Sequence, residues 1–362
     1  MNAPATSTKP ARILAVCTGG GTGDLLAATP AMRALQRRFG VPLSLLASPR
    51  SAPILEGHPA IAEVLTDDGS TSVGVMARSL ATREFTHAVI FWSNARVAAL
   101  AARARIPIRV GQARRLYSWL YTIRVPVRTE PGDTTSHWTD VQMDYARALG
   151  AEPVPDDYRS TVVFDANDVA QAAEIISRYA PSGRFIVWHA ARGMRFESVQ
   201  WPVHQFAAIG DALGETFDAP ILLTGTAGES ALIDGIADAM RRPNASIAGQ
   251  TSLRSLAALC ARATCVVALD SGPMHIAAAV GAPTLGIFAL RTDLPQRWRP
   301  LGLRVAVIGP SFPCPRGCRK ETCRTFDCYR ALDPVTIAAA ARAVAGLDVT
   351  PPAATRSKTI VT

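Results

Sequence analysis

No run of eighteen uncharged apolar residues occurs in this 362-residue chain, although 48% of it is apolar, and this excludes a bilayer-spanning helix. The opening segment MNAPATSTKPAR has no apolar signal core, so residues 1–11 are expected to be disordered and the protein cytoplasmic. There is no recognisable nucleic-acid module and no basic stripe with interleaved aromatics. The basic residues are dispersed, in pairs such as Arg37-Arg38, Arg114-Arg115 and Arg241-Arg242, so nucleic acid is not expected as a partner. The net charge of +9 nonetheless calls for an acidic one: a nucleotide diphosphate, a phosphorylated glycolipid or an anionic membrane face. A P-loop lysine is absent, and Asp24 stands where the third glycine of G-x-G-x-x-G should be, which argues against a nicotinamide cofactor. Paired C-x2-C spacing is missing too. Cys314, Cys318, Cys323 and Cys328 are clustered more widely, and two readings are open: a structural metal such as zinc, or reduced, locally packed thiols. Cys17, Cys260 and Cys265 are scattered in apolar segments and read as reduced core residues.

What is present is a strand, a tight polar turn, a short buried helix and a second strand over residues 265–289, CVVALDSGPMHIAAAVGAPTLGIFA. Residues 265–269 are apolar and partly β-branched, as a strand covered on both faces must be. Asp270 and Ser271 follow at its carboxyl end. Gly272 and Pro273 then open a helix, because proline fits the first turn where its missing N–H is not needed, and Ser271 or Gly272 can cap it. Gly281 closes the helix and Pro283 blocks its continuation, which leaves residues 284–289 as the next strand of a minimal βαβ unit. Ligands of open parallel sheets sit outside the strand carboxyl ends. The turn Asp270, Ser271, Gly272, Pro273, Met274 and His275 is therefore a candidate anion site built on first-turn N–H groups; an ordinary capping sequence is the other reading.

Near the start of the chain, residues 12–16 form a strand that runs into the loop Cys17-Thr18-Gly19-Gly20-Gly21-Thr22-Gly23-Asp24. Ala28, Met32, Leu35 and Phe39 recur at three- and four-residue steps, which puts them on one face of a helix ending at Gly40. Strands are expected at 43–47 and 88–92, a helix over 96–104, and another near 138–149 after an irregular stretch from 111 onward that holds Arg114, Arg115, Tyr117, Trp119 and Tyr121. The alternation restarts with strands at 185–188 and 221–224 and helices at 202–213, 229–240 and 252–263. These two arrays predict an α/β fold: a Rossmann-like N-terminal domain over 12–165, a second over 180–347, parallel sheets facing a central cleft, and a flexible tail at 348–362. Asp24, beside Thr22 and Gly23, begins a helix on the cleft side, as an N-terminal cap or as a general base.

GGGTGDLLAATPAMRALQRRFG and GQTSLRSLAALCARATCVVALDSGPMHIAAAVGAPTLGIFA resemble the two signature regions of glycosyltransferase family nine, the ADP-heptose:lipopolysaccharide heptosyltransferases. FWSNARVAALAARARIPIRVG and WPVHQFAAIGDAL extend the similarity over most of the chain. The resemblance implies the GT-B architecture, with the acceptor bound by the domain over 12–165 and the donor by the domain over 180–347, and inversion at the anomeric carbon without an active-site metal. It makes Asp24 the base on the acceptor hydroxyl, Thr22 and Gly23 part of the acceptor-side loop, and the turn from Asp270 to His275 the donor contact. Glu229, after Thr224-Gly225-Thr226-Ala227-Gly228, stands where a family acidic residue binds the donor ribose, which brings Thr224 and Gly225 to the donor site; a first-turn residue beside the helix dipole is the alternative for Glu229. A family lysine shortly before Trp-Pro is replaced here by Gln200, ahead of Trp201-Pro202. Arg192 and Arg195 are candidates for its charge on the donor phosphates, against a solvated loop. The cysteine segment also resembles one found near the C-terminus of many members.

The expected function is inverting transfer of a heptose or related sugar from a nucleotide-diphosphate donor, ADP-heptose by the resemblance, to a lipopolysaccharide core or similar anionic glycan. No cofactor is expected for catalysis, and a peripheral position at the inner membrane suits the basic surface. Two other classes stay open. A nucleotide-sugar epimerase or hydrolase would turn over donor without acceptor, and a non-catalytic nucleotide-sugar-binding protein would transfer nothing.

Overall fold

The computed structural model describes residues 10–192, 201–290, 293–309, 312–313, 323 and 325–347. By contact they divide into two compact units, Met1–Arg159 and Ser160–Thr362. The first runs β1 (Ile13–Cys17), α1 (Thr22–Phe39), β2 (Leu43–Ala47), β3 (Ile61–Thr66), α2 (Val73–Ala81), β4 (His87–Ile90), α3 (Ala95–Arg103), β5 (Ile108–Gln112), β6 (Ile123–Val125) and α4 (Trp138–Arg147). Its sheet is parallel throughout, in the order β3-β2-β1-β4-β5-β6. Leu14 of β1 lies opposite Ser44 on one side and Ala88 on the other. The winding reverses between β1 and β4, so the loops after these two strands flank the switch point where open sheets bind ligands. Every residue of β1 and β4 is buried, which is why β1 and residues 88–90 of β4 read as unbroken apolar runs. The edge strand β3 is only partly buried and β6 carries the exposed Arg124, so neither has such a run. Together with β5, β6 brings into the sheet part of the stretch that reads as irregular in sequence.

Helix α1 contains an interior proline, Pro30. Having no N–H, Pro30 cannot donate to the Leu26 carbonyl, and the Thr29 hydroxyl donates to it instead at 2.7 Å. Gly40 closes the helix in the left-handed conformation, φ 70°, with its N–H on the Gln36 carbonyl at 2.8 Å. Arg33 meets Asp156 at 2.5 Å and Arg37 meets both Asp157 carboxylate oxygens at 2.5 and 2.6 Å, so part of the chain's basic charge is neutralised internally.

The second unit runs α5 (Ala166–Tyr179), β7 (Ile186–His189), α6 (Val203–Phe217), β8 (Ile221–Leu223), α7 (Ser230–Ala239), β9 (Asn244–Ser246), α8 (Leu253–Arg262), β10 (Cys265–Leu269), α9 (Gly272–Ala279), β11 (Thr284–Ile287), α10 (Pro295–Trp298), β12 (Val305–Ile308), α11 (Asp327–Arg330) and α12 (Pro334–Val344). Its parallel sheet has the order β12-β11-β10-β7-β8-β9, and here the switch point lies between β7 and β10. Helix α5 is held to this unit by Arg254 of α8, 2.9 Å from Asp165 and 2.8 Å from Asp168. An aromatic stack anchors the start of α6: the Trp201 and Phe326 rings are 5.7 Å apart at 14°, and Phe326 and Tyr329 are 5.7 Å apart at 25°. The Trp201-Pro202 pair thereby fastens the chain to the segment that carries α11. Among the described residues no helix is long and apolar enough to cross a membrane.

His58 is 2% exposed, and its Nδ1 accepts the Ala60 N–H at 3.1 Å. Burial, and then the charge of Arg33, lowers its pKa to about 4. An unfolded histidine titrates near about 6.5, so between these values the unfolded chain binds more protons and the first unit loses stability as pH falls. His58 should account for a loss of about 2 kcal/mol between pH 7 and pH 5. His58→Asn, whose carboxamide oxygen can accept the same N–H, should remove that loss in urea titrations at the two pH values; equal acid sensitivity in parent and variant would contradict it.

Candidate functional site

In the first unit the chain leaves β1 and turns through three glycines into α1. Gly19 has no room for a side chain, because a Cβ there would lie 1.9 Å from Nε1 of Trp92, just beyond β4. Gly20 has φ 73°, a left-handed conformation that favours glycine, and a Cβ on it would meet the Asp24 carboxylate at 2.6 Å. The glycines therefore let the two switch-point loops and the carboxylate close up on one another. Oδ2 of Asp24, the third residue of α1, accepts the N–H of the N-cap residue Gly21 at 2.8 Å, the reach-back bond of a capping box, so Asp24 does help to cap α1. Capping does not preclude a second role, since a carboxylate has two oxygens and accepts at several positions. Burial raises the Asp24 pKa above the ordinary carboxylate value, opposed by the N–H groups of Gly21 and of Asp24 itself. The buried thiol of Cys17 is pushed up by burial and then by Asp24. Thr22 and Gly23, half-buried, open the helix beside Asp24. The loop after β4 is braced by two tyrosines: the Tyr117 hydroxyl donates to the Ser93 carbonyl at 3.0 Å and the Tyr121 hydroxyl lies 2.7 Å from Ser93 Oγ.

At the switch point of the second unit, Ser271 holds the N-cap position of α9, but its hydroxyl donates back to the Leu269 carbonyl at 2.8 Å and makes no cap bond. The positive end of α9 thus forms without a cap from Ser271, with the N–H groups of Gly272 and Met274 in its first turn and Pro273 contributing none. The Met274 side chain is fully buried with Ala268, Phe288 and Val307, so its backbone is what it can offer a ligand; His275 is half-buried. Thr224 is buried, with Oγ1 2.9 Å from His189 Nδ1. Burial lowers the His189 pKa against the attraction of Glu229. Glu229 is buried too, and its Oε2 accepts the Thr226 N–H at 2.8 Å and hydroxyl at 2.9 Å; a Cβ on Gly225 would strike Ile233 at 2.8 Å. Glu229 therefore shapes the turn after β8.

Arg192 follows β7 and reaches the switch point, but it faces carboxylates there. Nη2 is 2.7 Å from Asp270 and 2.6 Å from Asp293, and Nη1 is 2.8 Å from Asp293 and 3.3 Å from the Tyr329 hydroxyl. Its side chain is 7% exposed and that of Asp293 3%. Burial penalises the charge, yet Tyr329, Asp293 and Asp270 outweigh the penalty and raise the Arg192 pKa. Arg192 thus braces the Asp270 turn. Sequence reasoning passed over Asp293 and Tyr329. The available signal was slight: Asp293 is a carboxylate shortly past the end of β11, the strand paired with β10.

Arg195 and Gln200 lie outside the described residues, as do Cys314 and Cys318. Cys328 is buried, and Cys323 is half-buried with Sγ accepting the Phe326 N–H at 3.4 Å. Among the described residues no group of three or more His, Cys, Asp or Glu is placed to hold a metal.

Residues 73–328 match the sequence profile of Glycosyltransferase family 9 (heptosyltransferase). Lipopolysaccharide heptosyltransferase 3 of Escherichia coli K12 is 23% identical over 295 residues, 77% of this chain and 82% of that one. A glycosyltransferase family 9 structure from Veillonella parvula superposes with a TM-score of 0.77 at 17% identity, covering 93% of this chain and 98% of its own. ADP-heptose lps heptosyltransferase II of E. coli gives 0.75 at 19% identity, covering 93% and 99%. E. coli heptosyltransferase WaaC with ADP-2-deoxy-2-fluoro heptose gives 0.61 at 19%, covering 82% and 92%. The two parallel six-stranded sheets are thus of the GT-B type shared by these structures.

Removing one member of a buried ion cluster leaves the others uncompensated. Arg192→Leu should lower the stability of the second unit by about 3–5 kcal/mol. Arg192→Lys should restore part of this, because it returns the charge without the fork. Chemical denaturation checks both; parent-like stability of Arg192→Leu would show that Asp270 and Asp293 do not depend on the guanidinium.

Proposed function

Because the chain belongs to glycosyltransferase family 9, we propose that it is an inverting heptosyltransferase that moves a heptose or related sugar from a nucleotide-diphosphate donor, ADP-heptose, to a lipopolysaccharide core or similar anionic glycan. The observation that carries this reading is Asp24: a half-buried carboxylate of raised pKa, beside a glycine loop at the carboxyl end of a central strand. The relatives support the donor and the acceptor, one being a lipopolysaccharide heptosyltransferase and another having been solved with a fluorinated ADP-heptose.

The reaction proposed is a single displacement. Asp24 takes the proton of the acceptor hydroxyl, the acceptor oxygen forms a bond to the anomeric carbon, and the bond from that carbon to the diphosphate oxygen breaks with its electron pair on the leaving ADP. Gly272 and Met274 N–H groups at the positive end of α9 stabilise the diphosphate. Asp270, an acceptor-only group, receives sugar hydroxyls rather than phosphate oxygens. Thr22 and Gly23 line the acceptor side, and Ser271, Pro273, His275, Thr224, Gly225 and Glu229 the donor side. Arg192, which also braces Asp270, and Arg195 are the arginines proposed for the role of the absent lysine. A structural metal on Cys314, Cys318, Cys323 and Cys328 is proposed separately from catalysis. About one metal per chain, lost in Cys323→Ser, is the expected result of elemental analysis, and metal-free protein with reduced cysteines would refute it.

The carboxamide oxygen of Asn can accept the Gly21 N–H as the carboxylate does, so Asp24→Asn should fold and bind donor as the parent does. Acceptor-dependent ADP release should fall by at least about a hundredfold with little change in donor affinity. In the parent, release should decline toward acid through an apparent pKa above the ordinary carboxylate value, since a base works only when deprotonated. Near-parent turnover in Asp24→Asn would leave Asp24 as a cap alone.

A further inference from the structure

We infer that residues 113–121, the turn after β5, form an anchor for an anionic lipid bilayer, with Leu116 and Trp119 entering the interface and Arg114 and Arg115 facing lipid phosphates. Leu116 is 99% exposed and Trp119 70%. Other exposed large apolar residues, such as Val75, Leu303 and Val335, stand singly along the chain, whereas these two share one turn with two exposed arginines. The turn is not slack. Ser118 is buried, its hydroxyl donates to the Gln112 carbonyl at 2.5 Å and accepts the Arg115 N–H at 3.0 Å, and its own N–H donates to the Arg115 carbonyl at 2.9 Å. The Leu120 N–H closes on the Tyr117 carbonyl at 3.0 Å, and Tyr117 and Tyr121 turn inward onto Ser93. Inward residues thus lock the turn and hold Leu116 and Trp119 out in water.

An apolar tip built of Leu and Trp, flanked by cationic side chains, suits a headgroup layer: tryptophan settles at the interface, leucine reaches the acyl boundary, and arginine pairs with phosphate. Charge favours lipid over a second copy of this chain. An isologous contact through this turn would set Arg114 and Arg115 against their own copies, on a chain whose net charge is already +9. Arg115 also reaches the mostly buried Glu130 at 3.3 Å, so Arg114 is the freer of the two arginines to meet lipid phosphate. The turn lies beyond the carboxyl end of β5, at the same end of the parallel sheet as the Gly19 to Asp24 loop. Its tyrosines hold Ser93, next to the Trp92 that packs on Gly19. Resting on the proposed glycolipid acceptor, the anchor would keep Asp24 at the surface where that acceptor is embedded.

Full-length protein is sedimented with phosphatidylcholine vesicles that contain or lack phosphatidylglycerol. Binding is expected to the anionic vesicles, weakened by salt. The partition constant should fall at least about tenfold in Leu116→Ser/Trp119→Ser and about fivefold in Arg114→Ala, with ADP binding and melting temperature as in the parent. Brominated lipid should quench part of the parent's tryptophan fluorescence but not that part in Trp119→Phe. No binding by the parent, equal binding by the variants, or quenching that persists without Trp119 overturns the anchor, and self-association lost in the double variant would assign the face to a second copy. Neither donor nor acceptor is needed, so vesicle binding can fail while glycosyl transfer stands, and the reverse.

Discussion

The guanidinium of Arg192 joins three loops of the second unit. It sits past β7, between Asp270 past β10 and Asp293 past β11, and touches Tyr329, whose ring continues the stack through Phe326 to Trp201. Taking three charges out of water is unfavourable, and bidentate geometry offsets it only while all partners are present. This makes the position of the Asp270 turn conditional on packing far from it in sequence. The first unit meets the same need by close backbone approach: Gly19 admits the Trp92 indole, Gly20 admits the Asp24 carboxylate, and the loops after β1 and β4 close together.

Much of this was legible in the sequence because central parallel strands are buried on both faces. Residues 265–269 and 43–47 read as strands and are β10 and β2 with those bounds, while Gly40 and Gly281 mark helix ends by their freedom at positive φ. The edges were not legible. β3 alternates through Glu63, which bonds Ser44 at 2.8 Å, β9 is a half-buried Asn-Ala-Ser, and β6 is three residues long, so none presents a hydrophobic run. Arg192 shows a different limit. Its place after a strand could be read, but its partner Asp293 is 101 residues away, and no local pattern announces a buried pair. For Asp24 the two readings from sequence were cap and base; the structure shows the cap, and a carboxylate can serve as both.

The net charge of +9 invites an acidic partner, yet several arginines are turned inward: Arg33 and Arg37 onto Asp156 and Asp157, Arg96 onto Asp67, Arg128 onto Asp144, Arg254 onto Asp165 and Asp168. Arg114, by contrast, stands exposed in the turn after β5, where Arg115 is half paired with Glu130. The distribution therefore says more than the total: acidic surfaces are to be met at particular places, and the positive end of α9 adds polarity at the switch point of the second unit that no count of charges records.

Incubation with ADP-heptose and a deacylated lipopolysaccharide core, followed by NMR, tests the account most directly, because it reads both the new bond and its anomeric configuration. Acceptor-dependent ADP release with inversion at the anomeric carbon is the predicted result. Retention of configuration, or donor turnover that proceeds equally without acceptor, would contradict it.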